Sequence, residues 1–258
     1  MTPNLSLIDP ALVGVAGSGA TFDDTDLKAY WKFDETSGDV IEQSESAVAL
    51  GSSADIQITG ATYEDNGSPL GTGMSFDGVD DFGIAGSSLS NFNFLHNTTA
   101  LFTICFWAKL RKASDKFVLA TCETDPQVGL KLGMNSTDFR IYTLNGETSD
   151  NLCLNFGGSS GFIPDDTYWY FYIFRYDQSL SDTNFNATRD NANLQQSNKT
   201  ANTPSNANQS YPMNFARRPD TGIDFTILSI AELSIWNKIM NDADMTSLYN
   251  GGSGLAIY

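Results

Sequence analysis

Three acids stand close together in the run Asp77-Gly78-Val79-Asp80-Asp81. Their hard carboxylate oxygens are ligands for a divalent cation, which makes Asp77, Asp80 and Asp81 the candidate metal site. The same residues have a plainer use. An Asp before Gly accepts hydrogen bonds from the backbone of its own turn, and the two that follow can be solvated acids at a strand edge. His96 is the only histidine, and with no second His or paired Cys it offers neither a zinc site nor a catalytic base, so a surface or capping role is expected. Cys105, Cys122 and Cys153 are odd in number and fit no zinc spacing, which reads as buried free thiols. No serine sits in a nucleophile elbow, so Ser-His-Asp catalysis is unsupported. Trp31, Trp107, Trp169 and Trp236 have faces of the kind that stack on sugars, yet all lie in strand-like apolar runs and are expected in the core. Tyr63, Tyr211 and the Asn-rich stretch over residues 179–211 are looser candidates for sugar contact, and no ligand residue is assigned.

The elements that must position these groups are strands. Met74 and Phe76 alternate with polar neighbours, as do Phe82 and Ile84, and the Asp77-Gly78 pair between them predicts a tight hairpin. Leu101 to Leu110 is an almost unbroken apolar run, expected for a strand buried between two sheets. Strand-like runs follow at Phe117 to Cys122, Val128 to Met134, Phe139 to Leu144, Leu152 to Phe156, Tyr168 to Tyr176 and Ile223 to Trp236, spaced as in a sandwich or barrel. Asn241 begins a short helix as its cap, with Met245, Leu248 and Tyr249 on one face and Gly251 and Gly252 at its end. Residues 179–211 are dominated by Asn, Ser, Thr, Gln and Asp and read as a polar insertion, open between recognition and decoration.

Four stretches in order carry a resemblance. Ala29-Tyr30-Trp31-Lys32-Phe33-Asp34-Glu35-Thr36-Ser37-Gly38, Phe76-Asp77-Gly78-Val79-Asp80-Asp81-Phe82, Phe102-Thr103-Ile104-Cys105-Phe106-Trp107-Ala108-Lys109 and Ile230-Ala231-Glu232-Leu233-Ser234-Ile235-Trp236-Asn237 together resemble the LamG-like jelly-roll domains of the concanavalin A-like lectin and glucanase superfamily. The resemblance implies an all-β, concanavalin A-like jelly-roll sandwich of two antiparallel sheets with one short C-terminal helix. It divides the chain into an N-terminal arm, residues 1–26, and a sandwich domain, residues 27–258. It implies sugar or protein binding, often with calcium. The hydrolases of the superfamily carry Glu-x-Asp-x-Glu on one strand, two carboxylates flanking the glycosidic bond. Glu123-Thr124-Asp125-Pro126-Gln127 comes nearest, but it lacks the last Glu and holds a proline. A glycoside hydrolase is therefore the weakest of the readings, and no enzyme is expected. Where many relatives carry an Asp before the Glu of the closing strand, this chain has Ala231, one oxygen ligand fewer for calcium.

Composition narrows the partners. The chain has 31 acidic against 14 basic residues, a net charge of −17, so its surface repels phosphate backbones and anionic lipid and excludes nucleic acid as a partner. No apolar run is long enough for a membrane helix, and residues 1–26 lack the basic start and apolar core of a signal peptide. These features lead to the expectation of a non-catalytic binding or adhesion module recognising carbohydrate or a protein surface. A phage or viral surface protein is the expected setting, extracellular after assembly, with the arm serving oligomer or virion assembly. The alternative is a structural virion scaffold or decoration protein without glycan binding.

Overall fold

A computed structural model describes residues 23–64, 68–111, 116–123, 126–134, 139–146, 151–156, 166–181, 184–190, 192–197 and 204–258. The arm expected over residues 1–26 thus lies, up to residue 22, outside the described residues. Fifteen strands among the described residues form two antiparallel sheets. The larger sheet runs in the order β13 (Ala192–Ser197), β12 (Phe185–Arg189), β11 (Tyr170–Asp177), β6 (Leu101–Leu110), β15 (Ile227–Trp236), β4 (Met74–Asp77) and β3 (Thr62–Tyr63). In it β1 (Leu27–Trp31) pairs the second half of β15, and β4 pairs the first half. The smaller sheet runs β10 (Asn151–Phe156), β9 (Phe139–Asn145), β8 (Val128–Met134), β7 (Lys116–Ala120), β14 (Met213–Phe215), β5 (Phe82–Ala85) and β2 (Ile56–Thr59).

The alternation that marks each strand also builds the core. Trp31, Phe76, Ile104 and Phe106 of the larger sheet meet Leu130, Phe139 and Phe215 of the smaller. Phe139 lies 5.4 Å from Tyr172 and 5.5 Å from Phe174 across the gap, in the tilted geometry aromatic rings favour. The outer face of the larger sheet is filled as well. Leu27, Tyr30, Cys105, Trp107, Phe171 and Ile173 lie under α1 (Asp242–Tyr249), which contributes Met245 and Leu248, and under the C-terminal tail with Ile257 and Tyr258. The unbroken apolar run of β6 therefore has a cause other than the one expected: one face meets the second sheet and the other meets the helix.

Two sequence expectations need correction. Met74–Asp77 and Phe82–Ala85 do not form a hairpin. β4 pairs β3 and β15 in one sheet, whereas β5 pairs β2 and β14 in the other, so the aspartate turn is a sheet-to-sheet corner. Gly78 adopts φ 79° there, and a Cβ on it would sit 2.4 Å from Ile227, which leaves glycine alone as a fit. Nor is the Tyr168 end of its run in a strand: Tyr168 is 64% exposed and β11 starts at Tyr170.

Of the polar stretch 179–211, residues 179–181, 184–190, 192–197 and 204–211 are described. Phe185–Arg189 and Ala192–Ser197 pair as the edge of the larger sheet. The segment from residue 204 straps across the sandwich end: Asn206 accepts from Thr98, Asn208 from Asn93, and the Ser210 amide bonds Val128. Asn241 caps α1, accepting from the Asp244 amide at 2.9 Å, and Asn250, left-handed at φ 48°, ends the helix one residue before the glycines.

Candidate functional site

The corner brings Asp77, Asp80 and Asp81 together, with a carboxylate oxygen from each lying within 4.8 Å of the others. Asp77 Oδ1 accepts from the Val79 amide at 2.7 Å, and Asp81 Oδ2 accepts from the Asp77 amide at 2.9 Å. Both acids thus serve the backbone of the turn. Asp81 is buried rather than solvated, and burial, followed by the charges of Asp77 and Asp80, pushes its carboxyl above the usual range. Asp80 is exposed. Each carboxylate retains an oxygen free of these turn bonds, so the donor set has the hardness and spacing that suit a divalent cation. Ala231 is buried on β15 and supplies no side-chain oxygen.

The other expected residues fall mostly in structural positions. His96 is buried, not on the surface; its Nε2 lies 3.1 Å from the Ala207 carbonyl and pins the polar strap, and burial holds its pKa below the ordinary value. The Cys105 Sγ lies 2.9 Å from Ser234 Oγ, and complete burial pushes the thiol up to about 12. Cys122 is buried too, while the side chain of Cys153 lies outside the described residues. Trp31 and Trp236 are buried, their indole N–H groups donating to the Ala54 carbonyl and to Ser234 Oγ. Trp107 is buried between Phe171 and Tyr249. Trp169 departs from expectation, being half-buried with Lys109 Nζ 5.1 Å from its ring centre. Tyr63 donates to the Gly38 carbonyl and Tyr211 accepts from Gln127, both half-buried. Glu123 is held by Lys131 at 3.1 Å, and Thr124 and Asp125 lie outside the described residues.

A surface that the sequence reading missed lies on the outer face of the smaller sheet. Strand pairing sets Gln57, Ile84, Asn214, Ala120, Lys131 and Tyr142 in one row across it. Lys131 Nζ sits between two rings, 4.7 Å from Tyr142 and 5.5 Å from Phe117, while bonded to Glu123. Beside it lies a cavity of about 40 Å³ flanked by Phe117, Gly133, Arg140 and Tyr142. At the other end Arg217 lies over the Phe82 ring, 3.6 Å from its centre. The only signal in sequence was alternation: these are the outward partners of core residues such as Leu130, Leu132 and Ile141. Among the described residues no helix crosses this face, whereas α1 covers the opposite side of the molecule.

A family model of the concanavalin A-like lectin/glucanases superfamily matches residues 84–246, more than half of the chain, and the protein belongs to that superfamily. Comparison with curated proteins gives no match. Among solved structures, the fold is shared with the botulinum neurotoxin serotype D binding domain, at TM-score 0.62 and 14% identity over 88% of this chain and 51% of that one. The binding domain of Paraclostridial Mosquitocidal Protein 1 matches at TM-score 0.63 and 11% identity, over 88% of this chain and 52% of that one. The binding domain of botulinum neurotoxin DC, solved in complex with SialylT, matches at 0.60 and 14%, over 87% and 51%. This chain spans about half the length of those structures, and at such identities the likeness establishes the fold.

Proposed function

We propose that the protein is a non-catalytic binding module that engages carbohydrate through the outer face of its smaller sheet. The observation that carries this is the asymmetry of the sandwich. One sheet has its outer face filled by α1 and the C-terminal tail, while the other presents Tyr142, Lys131, Gln57 and Arg217 with no helix over them among the described residues. Aromatic rings offer the apolar side of a sugar a surface, and amide and cationic groups bond its hydroxyls. Membership of a lectin-containing superfamily and a fold shared with binding domains support the same reading. The proposal includes calcium at Asp77, Asp80 and Asp81, and display on a virion surface through the segment before Leu27, both of which rest on the sequence features given above.

The test is a glycan array probed with the whole chain, with and without calcium, alongside Tyr142→Ala. Retention of glycans by the wild type, reduced about ten-fold or more in the variant at unchanged melting temperature, supports the reading. A blank array overturns it and leaves the scaffold or decoration role, which copurification with particles would detect.

A further inference from the structure

Resting on the carbohydrate reading above, we propose that Arg217 is an anchor for a ligand carboxylate, so that the glycan taken by this face is an acidic one. The guanidinium is held in a single pose from two directions. Its Cζ lies 3.6 Å from the centre of the Phe82 ring, and its Nε donates to Asn214 Oδ1 at 2.8 Å. Asn214 is itself tied, donating to the Pro212 carbonyl at 2.9 Å. Ring stacking fixes the plane of the group and the asparagine fixes its rotation, which leaves the two terminal nitrogens side by side in the geometry that takes a carboxylate with two parallel bonds.

The charge on this group is unanswered. Among the described residues no carboxylate lies within ion-pairing distance of Arg217, although the chain carries 31 acids. The acids nearby are committed elsewhere. Asp220 takes two bonds from Arg218, at 2.6 and 3.1 Å, and Asp224 pairs with Arg218 at 3.7 Å and with Lys116 at 4.0 Å. Arg217 is half-buried, and desolvation lowers its pKa with no compensating partner to raise it. A cation placed this way gains more from an arriving anion than one already paired, and its preorganisation lowers the ordering cost of binding. The loop beyond it leaves room: a Cβ on Gly222, at φ +64°, would come to 3.5 Å from Nη1, so a glycine there leaves that nitrogen uncovered on this side. Phe225, 6.4 Å from the Phe82 ring on which the guanidinium lies, adds apolar surface to that side.

A purely structural stack would predict otherwise, and matched sugar pairs separate the two. Binding of glucuronate- and glucose-terminated oligosaccharides, and of galacturonate and galactose pairs, is measured by calorimetry at low and high salt, using the whole chain, Arg217→Gln and Arg217→Lys. The expected result is a wild-type preference for the acidic member of about ten-fold or more, weakened by salt. Arg217→Gln should lose that preference, its affinity falling about ten-fold or more further for the acidic member than for the neutral one, and Arg217→Lys should keep part of it. Equal binding of both members by the wild type, or an acidic preference that survives Arg217→Gln, overturns the anchor alone. If neither member of any pair binds, the carbohydrate reading falls and takes the anchor with it. Retention of polyglutamate in preference to every acidic sugar would also overturn the assignment.

Discussion

Tyr30 donates its phenol hydrogen to Glu232 beneath the C-terminal tail, and the same phenol oxygen accepts the Ile257 amide at 3.2 Å. Glu232 stands in a bulge of β15, where the register against β6 shifts between Ala231 and Ser234, and takes a left-handed φ of 53°. The bulge turns a carboxylate under the tail, where an in-register strand would place it in the ladder. A non-glycine residue at that angle costs on the order of 1 kcal/mol, offset by the bonds it makes with its surroundings. Lys32 and Asp34 are the charged groups that act on it, the first favouring and the second opposing ionisation.

Glu232 should make stability fall as pH rises. Burial pushes its carboxyl up to about 7 from 4.5 in the folded chain, so its contribution is complete below 4.5 and is lost as pH rises through about 7. The span corresponds to about 3 kcal/mol. Urea denaturation at pH 5 and pH 8 should show a smaller pH-dependent loss for Glu232→Gln than for the wild type. Parallel loss in both proteins would show that this carboxyl does not titrate between them.

Gly60 should tolerate no side chain, because a Cβ there would come 2.0 Å from Asp81 Oδ1 at φ +80°. Gly60→Ala is expected to cost about 2–3 kcal/mol, strain and clash together. Gly38 has a similar φ of +83° but nothing within 4 Å, so Gly38→Ala should cost only about 1 kcal/mol. Thermal melts of the two variants measure the difference, and equal shifts would mean that the Asp81 carboxylate swings aside freely.

Calcium binding at the corner is separable from folding through Asp80, an exposed acid that accepts neither of the turn's amide bonds. Calorimetric titration of chelator-treated protein should show uptake that Asp80→Ala abolishes while its melting temperature without calcium stays within about 1 °C of wild type. No uptake by the wild type would leave the three acids as turn chemistry, the role Asp77 and Asp81 already have through Val79 and Asp77 amides.

The Cys105 thiol, buried and pushed up to about 12, should resist a disulfide reagent at pH 8 in the folded chain and react on unfolding. Labelling followed by peptide mapping reads this directly. Rapid modification of Cys105 under native conditions would mean that α1 and the tail open readily over the larger sheet.

Much of the architecture was legible because it is written in short-range pattern. The almost unbroken apolar run located β6 and the strand-like run from Val128 to Met134 located β8 to the residue, and the Asn241 cap located the start of α1. The candidate aspartates were legible as a cluster, since five consecutive positions can only lie close together. The burial of His96 was not, because its partner at Ala207 belongs to a polar strap whose path no local preference dictates.

What the sequence determined by itself is thus most of the strands, though not β12, β13 or β14, together with the helix, the membership of the superfamily and the chemistry of the turn at Asp77-Gly78. Only the tertiary structure decided that this turn sends β4 and β5 into opposite sheets, because an Asp-Gly pair sets local dihedral angles and not the distant strands that will pair on either side. Only the tertiary structure filled one outer sheet face with α1, and only it set Arg217 on Phe82 and Lys131 beside Tyr142. Such contacts arise from strand register and sheet order, which join residues remote in the chain and leave no trace in local periodicity.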